Sequence, residues 1–320
     1  MSAQMCARPE AAIAILSSRE SLPTLVATAN AGLRALDASS VLDVVINGNP
    51  ALAEDFAAYC SREVAMYSAA SPIRVWSVAC GDKAHAWNRY LADIWPDSEI
   101  AYFVDGYARL NPDACRLLGS AMREQPGALG GSGVPSVGRT AGRLRRQMLA
   151  EGGFHGNFCA IRGDVMASLR AASYRLPLGL YRTDSTLAAC LRFGLDPARH
   201  EWDPTRILVH PDASWVVDEK PWWRWGEVRA QFRRVLRQGQ GALENRAVRH
   251  HLAVQRRLPQ DLPATAAGLV STWLDEAPEE ARALLRRDRI AAHALGKLQR
   301  PRDWSSADLP VRKLLDTSAT

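Results

Sequence analysis

The chain has 320 residues, 47% of them hydrophobic and 23% charged, a make-up that excludes disorder over most of its length and leaves room for one large α/β domain with an appendage. Net charge is +6, and its excess is concentrated after Trp222, where nine arginines up to Arg257 face only Glu227 and Glu244. Cys6, Cys60, Cys80, Cys115, Cys159 and Cys190 form no C-x-x-C pair and no zinc-ligand spacing, so a disulfide framework and a structural zinc are not expected.

The N-terminus lacks a basic start followed by a long apolar stretch, and nowhere do about 18 apolar residues run without a charge. Neither a signal peptide nor a membrane span is therefore expected. The chain is read as cytoplasmic, with peripheral contact at the inner membrane face offered by its Arg/Trp-rich segment.

Residues 1–10 are expected to be flexible. From residue 11 onward short apolar runs alternate with helical stretches, which predicts strands crossing over through helices into a mainly parallel sheet. Residues 12–16, 41–46, 73–78 and 100–104 are the predicted strands, and 22–36, 51–59 and 81–94 the intervening helical stretches. Sheets of this kind bind ligands beyond the carboxyl ends of their strands. That rim collects Ser17 to Glu20, Asn47 to Asn49, Gly81 to Lys83 and Asp105, polar loops suited to a nucleotide.

Residues 129–135, with three glycines and a proline, read as a mobile loop and lack the Gly-Lys-Ser/Thr of a P-loop. Past Pro211 the pattern turns Trp-rich, then Arg-rich and helical. The expected organisation is a catalytic domain over 11–210, a helical appendage over 211–300 and a tail over 301–320.

The order of four short segments between Ile13 and Leu195 resembles the inverting glycosyltransferases of family 2, whose fold is the nucleotide-binding GT-A type. Ser17-Ser18-Arg19-Glu20 resembles the family's first nucleotide-contacting loop. Val44-Val45-Ile46-Asn47 stands where an Asp-rich turn for the base is usual, with Asn47 in place of the aspartate. Gly81-Asp82-Lys83-Ala84 and the following Asn88 resemble the Gly-Lys-Ala and Leu-Asn helix start near the diphosphate. Phe103-Val104-Asp105-Gly106-Tyr107 looks like the metal-binding Asp-x-Asp with Tyr107 in place of its second acid.

Downstream, Gly153, His155 and Asn157 resemble an acceptor-side, glycine-rich segment, and Asp184 falls where the family carries its general base. The resemblance implies a hexosyltransferase-like enzyme of polysaccharide or glycolipid biosynthesis. It implies a nucleotide-sugar donor held by Ser17, Arg19, Glu20, Asn47, Lys83, Asn88, Asp105 and Tyr107, and a carbohydrate or lipid-linked acceptor. It also implies a divalent ion, Mg²⁺ or Mn²⁺, on Asp105. With Tyr107 offering no second carboxylate, His210 is the positional candidate for a further ligand.

Inverting transfer needs one base for the acceptor hydroxyl and positive charge for the leaving diphosphate, roles that fit Asp184, Asp105 with its ion, and Lys83. Each residue also has a plainer reading. Asp105-Gly106 is a turn dipeptide, Asp184 and Ser185 suit helix N-caps, Lys83 suits a solvated first turn, and His210 suits a packed histidine. The basic segment from Trp222 to Gly241 reads as a packed helix with a solvated Arg face, an interfacial patch, or a cover over the diphosphate. Nothing interleaves exposed aromatics with basic residues along a groove, so no nucleic-acid partner is expected. Two other functions compete: a nucleotidyltransferase making nucleotide sugars, although residues 17–20 lack that class's glycine-rich loop, and a non-catalytic nucleotide-sugar-binding protein.

Overall fold

The structure is a computed structural model that describes residues 8–37, 39–63, 71–138, 141–218 and 225–319, the side chains of 225–236 and 319 excepted. Its frame is a nine-stranded sheet in the order β5-β8-β6-β7-β4-β1-β2-β3-β9. The strands are β1 Ala11–Ser17, β2 Val41–Asn47, β3 Ile73–Val78, β4 Ile100–Asp105, β5 Ala108–Leu110, β6 Gly130–Pro135, β7 Cys159–Arg162, β8 Ile207–Val217 and β9 Arg312–Asp316.

The four strands expected from the apolar runs lie side by side in the middle of the sheet and are parallel to one another. Their residues are almost all buried, because helices cover both faces and leave no solvent side for alternation. The sheet as a whole is mixed, which corrects the mainly parallel expectation. β7 runs antiparallel to both β4 and β6, β5 to β8, and β9 to β3. The four-residue β7 lies between two helices and β9 arrives from the far end of the chain, so no hairpin turn marks either as an antiparallel partner.

The helices start where sequence chemistry favours a start. Ser21 caps Leu22–Ala35 and Asn49 caps Pro50–Arg62, each with proline in the first turn, and Asp82 caps Lys83–Arg89 by accepting from the His85 amide at 2.9 Å.

Residues 130–135 are not a mobile loop but a fully buried strand. Their glycines serve packing. A Cβ at Gly131 would come within 2.9 Å of the Leu118 and Met122 side chains, and one at Gly133 within 2.4 Å of the Ala213 carbonyl. β8 then carries the chain continuously across position 210, and residues of the 301–320 segment form β9 on the outer edge of β3.

Beyond β8, the Trp225–Arg249 helix packs on Arg289–Leu298, Ala266–Glu276 and Thr183–Arg192. One apolar cluster runs from Ala14 and Trp87 on the sheet side through Leu187 to Leu243 and Trp273 in these helices. Trp222 to Arg224 of the basic, aromatic segment lie outside the described residues, as do the side chains of 225–236. No helix among the described residues is long and apolar enough to cross a membrane. The five described cysteines are free and buried.

The central strands carry one buried charge. Asp43 of β2 receives both nitrogens of a forked Arg74 contact at 2.7 and 2.8 Å and the Trp76 indole N–H at 2.9 Å. Removing the carboxylate would leave Arg74 without its counter-charge under the sheet. Asp43→Ala is therefore expected to lower stability by ~3–5 kcal/mol, read by denaturant unfolding.

Candidate functional site

The site forms where the β1, β2, β3 and β4 strand ends meet the Thr183–Arg192 helix. Its loops are bound to one another by backbone and amide contacts. The Gly106 N–H donates to the Leu16 carbonyl at 2.9 Å, the Asn47 side-chain amide to the Ser17 carbonyl at 2.8 Å, and the Asn49 amide to the Ser18 carbonyl at 2.9 Å. Glu20 closes the first loop, accepting from the Ser17 hydroxyl and the Ser18 N–H, both at 2.7 Å, and from the Arg19 N–H at 3.0 Å. Ser17, Glu20 and Asn47 thus shape the rim, while the Arg19 side chain is exposed.

The charged centre comprises Lys83, Asp105 and Asp184. Lys83 opens its helix and its ammonium is ion-paired with Asp105. Burial alone would lower the Lys83 pKa, but the nearby Asp105 and Asp184 carboxylates outweigh it and hold the ammonium above its ordinary value. The Tyr107 hydroxyl, on a side chain 41% exposed, donates to the other oxygen of Asp105 at 3.1 Å.

Gly156 makes the close approach possible. A Cβ there would stand 2.9 Å from the Lys83 Nζ and 3.5 Å from an Asp105 oxygen, so any larger residue would enter the space in front of the pair. The Gly156 N–H donates to Asp184 at 3.3 Å.

Asp184 does not serve as the helix cap. The cap position falls on Arg182, with no side-chain hydrogen bond, and Asp184 lies in the first turn with its second oxygen on the Ser185 N–H at 3.0 Å. It lines two spaces at once. One is a small pocket with Lys83, Asp105, Gly156 and Thr183; the other is a cavity of ≈ 750 Å³ bounded by the Ala141–Glu151, Thr183–Arg192 and Trp225–Arg249 helices.

Gly153 and His155 also line the larger cavity. The His155 ring lies 5.1 Å from that of Trp215, and its Nδ1 accepts from the Asn157 N–H at 3.2 Å. Burial lowers the His155 pKa, so the ring is neutral near pH 7 with its proton on Nε2. Asn157 is buried and its side-chain oxygen has no partner. Asn88 lines neither space. Its amide donates to the Leu176 carbonyl at 2.9 Å and its oxygen accepts from the Leu176 N–H at 2.8 Å, which holds the chain leading to Asp184.

His210 sits in β8, where its Nδ1 accepts from the Asp212 and Ala213 amides, both at 3.1 Å. The ring's lone pair is thereby committed and its proton lies on Nε2. Among the described residues no group of three or more His, Cys, Asp or Glu side chains is placed to hold a metal ion. One oxygen of Asp105 is on the Lys83 ammonium and the other on the Tyr107 hydroxyl. Asp105 is the carboxylate here that could share a divalent ion with the oxygens of a donor diphosphate and water, in exchange for its bonds to Lys83 and Tyr107.

Several contributors escaped the sequence reading. Glu244, fully buried on the Trp225–Arg249 helix, accepts from the Tyr181 N–H and the Arg182 N–H, each at 2.9 Å, and from Gln240 at 2.7 Å. It thus ties the appendage to the turn that presents Asp184. Burial pushes its carboxyl up to about 7. Because the folded value lies above the unfolded one of 4.5, this group's stabilisation is complete below about pH 4.5 and is lost as pH rises through 7. Its share of stability should fall by about 3 kcal/mol over that window, and thermal melts of Glu244→Gln should lack that slope. Arg192 and Trp202, on the cavity wall, were missed as well. An arginine in a helix's last turn reads as dipole complement and gives no hint of a ligand.

No protein-family model matches this sequence, and no curated protein matches it. Among solved structures it is similar to the mannosyltransferase PcManGT from Pyrobaculum calidifontis, described in complex with GDP-Man and Mn²⁺. The match has 17% identity, covers 94% of this chain and 78% of that one, and has a TM-score of 0.56. S. aureus TarS 1-349 is 11% identical, with coverage of 89% and 79% and a TM-score of 0.48. At these identities the likeness is one of architecture: the chain shares the fold of that mannosyltransferase.

Proposed function

We propose that the protein is a glycosyltransferase that moves a sugar from a nucleotide-diphosphate donor to an acceptor hydroxyl with inversion. The observation that carries this reading is the position of Asp184, which is shared between the Lys83–Asp105 pocket and the large cavity. A base that opens on the cavity beside the Lys83–Asp105 pair can take a proton from a molecule in the cavity while a donor on the strand-end rim is attacked. The GDP-Man complex of the mannosyltransferase of like fold supports the donor class.

In the proposed reaction the acceptor hydroxyl, entering from the large cavity, gives its proton to the Asp184 carboxylate. Its oxygen forms the new bond to the anomeric carbon as the bond from that carbon to the diphosphate breaks, and the electron pair leaves with the diphosphate. Lys83, held by Asp105, faces the developing negative charge and offsets it in a site partly closed to water. The donor diphosphate would thus meet a cation already in position. His155, neutral with its proton on Nε2, is placed to donate a hydrogen bond on the acceptor side. Residues 11–210 are proposed as the catalytic unit, steadied by the helices after β8 through Glu244.

A thermal-shift screen of UDP and GDP tests the donor side. One nucleoside diphosphate should raise the melting temperature of the wild type, and Asp105→Ala, which frees Lys83 from its anchor, should abolish the rise. A rise of equal size in both proteins would remove the Lys83–Asp105 pair from the site.

A further inference from the structure

The larger cavity carries information about the acceptor. Its walls are more apolar than polar, with Leu144, Met148, Phe193 and Leu252 among them; Asp184 is the acidic lining residue, and Arg249, exposed at the helix end, lines it too. Arg192 also lines it, with its guanidinium 4.9 Å from the Trp202 ring centroid. Among the described residues no carboxylate pairs with Arg192, and its buried Nε has no hydrogen-bond partner. The Arg182 Nε is buried without a partner in the same wall, although that arginine has the Glu244 charge nearby. Burial pulls the Arg192 pKa below its ordinary value.

A partly buried guanidinium without a counter-ion is costly to the folded chain, since it loses hydration and gains no opposing charge. It becomes favourable when a ligand brings an oxyanion, which a guanidinium binds through parallel N–H donors. The apolar stretch of wall around Leu144, Met148, Phe193 and Leu252 suits a ligand whose remainder is largely apolar. Asp184 and Arg192 stand two turns apart on one helix, about 12 Å along its axis, and both line the same space.

We infer that the acceptor is an amphipathic molecule whose oxyanion, a phosphate or carboxylate, docks on Arg192 while its apolar body fills the cavity and its hydroxyl reaches Asp184. This deepens the glycosyltransferase reading and rests on it for the word acceptor; the binding site itself does not depend on turnover.

Calorimetric titration with decyl phosphate, decanol and inorganic phosphate, with nucleoside diphosphate saturating the donor side, provides the test. Decyl phosphate should bind at least tenfold more tightly than decanol, and inorganic phosphate should give no saturable heat. Arg192→Met should weaken decyl phosphate at least tenfold, to the level of decanol, while the unliganded protein melts close to wild type, because a half-buried charge without a carboxylate partner has been removed and the methionine can still pack on Trp202. Arg192→Lys, which keeps charge but loses the fork, should fall between the two and guards against a folding defect in the methionine variant.

Equal affinity for decanol and decyl phosphate, binding of neither, or an undiminished affinity in Arg192→Met would overturn the inference. Decyl phosphate binding without cleavage of any nucleotide sugar would instead sink the transferase reading and leave this site standing. Nucleotide-sugar cleavage without decyl phosphate binding would do the reverse.

Discussion

Asp184→Asn is expected to lower sugar transfer by at least ~10²–10⁴-fold, the usual worth of a general base, while leaving nucleotide affinity close to that of the wild type. Asparagine keeps the size of the side chain and one of the two accepting oxygens, so it can hold either the Ser185 or the Gly156 amide and gives up the other bond, a modest loss beside that of the base. What it loses is the capacity to take a proton. The helix itself should not suffer, since its cap position is Arg182 and Asp184 makes no capping bond across the first turn. Single-turnover rates at saturating donor, with melting temperature as the control, read the two effects separately. A purely structural aspartate would show the opposite pattern, with lost stability and a preserved rate.

Lys83→Met should have the second largest effect, a fall of ~10²–10³-fold in rate, the scale seen when one preorganised partner of a developing anion is removed. This change acts on binding as well as rate. Without the ammonium, Asp105 and Asp184 are left facing an incoming diphosphate with no cation between them. Affinity for the nucleoside diphosphate should therefore fall together with kcat, in contrast to Asp184→Asn, where kcat alone falls. Lys83→Arg should recover part of the binding, because the charge returns. Full recovery is not expected, since a longer, planar guanidinium cannot reproduce the position of the compact ammonium beside Asp105.

The parallel centre of the fold was legible in the sequence because strands buried on both faces must be written as continuous apolar runs, as 12–16, 41–46, 73–78 and 100–104 are. The antiparallel additions were not. β6 is written largely in glycine because Leu118, Met122 and Ala213 crowd it, and glycine in one dimension looks like a loop. β9 joins the sheet across more than two hundred positions of sequence, a pairing that no local pattern announces.

At the site, the order of short motifs led to Lys83, Asp105 and Asp184, and the structure gathers these three. It gives others different work. Asn88 is spent on the Leu176 backbone, His210 on two amides of its own strand, and Glu20 on closing the loop that holds it. Each has a side chain of the right chemistry in the right segment, and only its partners reveal how it is used. Glu244 and Arg192 were illegible for the reverse reason: their chemistry is ordinary on a helix and becomes unusual only through burial.

The most direct test is the release of nucleoside diphosphate from a panel of GDP- and UDP-sugars, with water standing in for the acceptor hydroxyl at Asp184, by wild type and by Asp184→Asn. The wild type is expected to cleave one donor, and the variant to bind the same donor yet release no nucleoside diphosphate above background. Failure to bind or cleave any nucleotide sugar, or equal release by the two proteins, would contradict the proposed function.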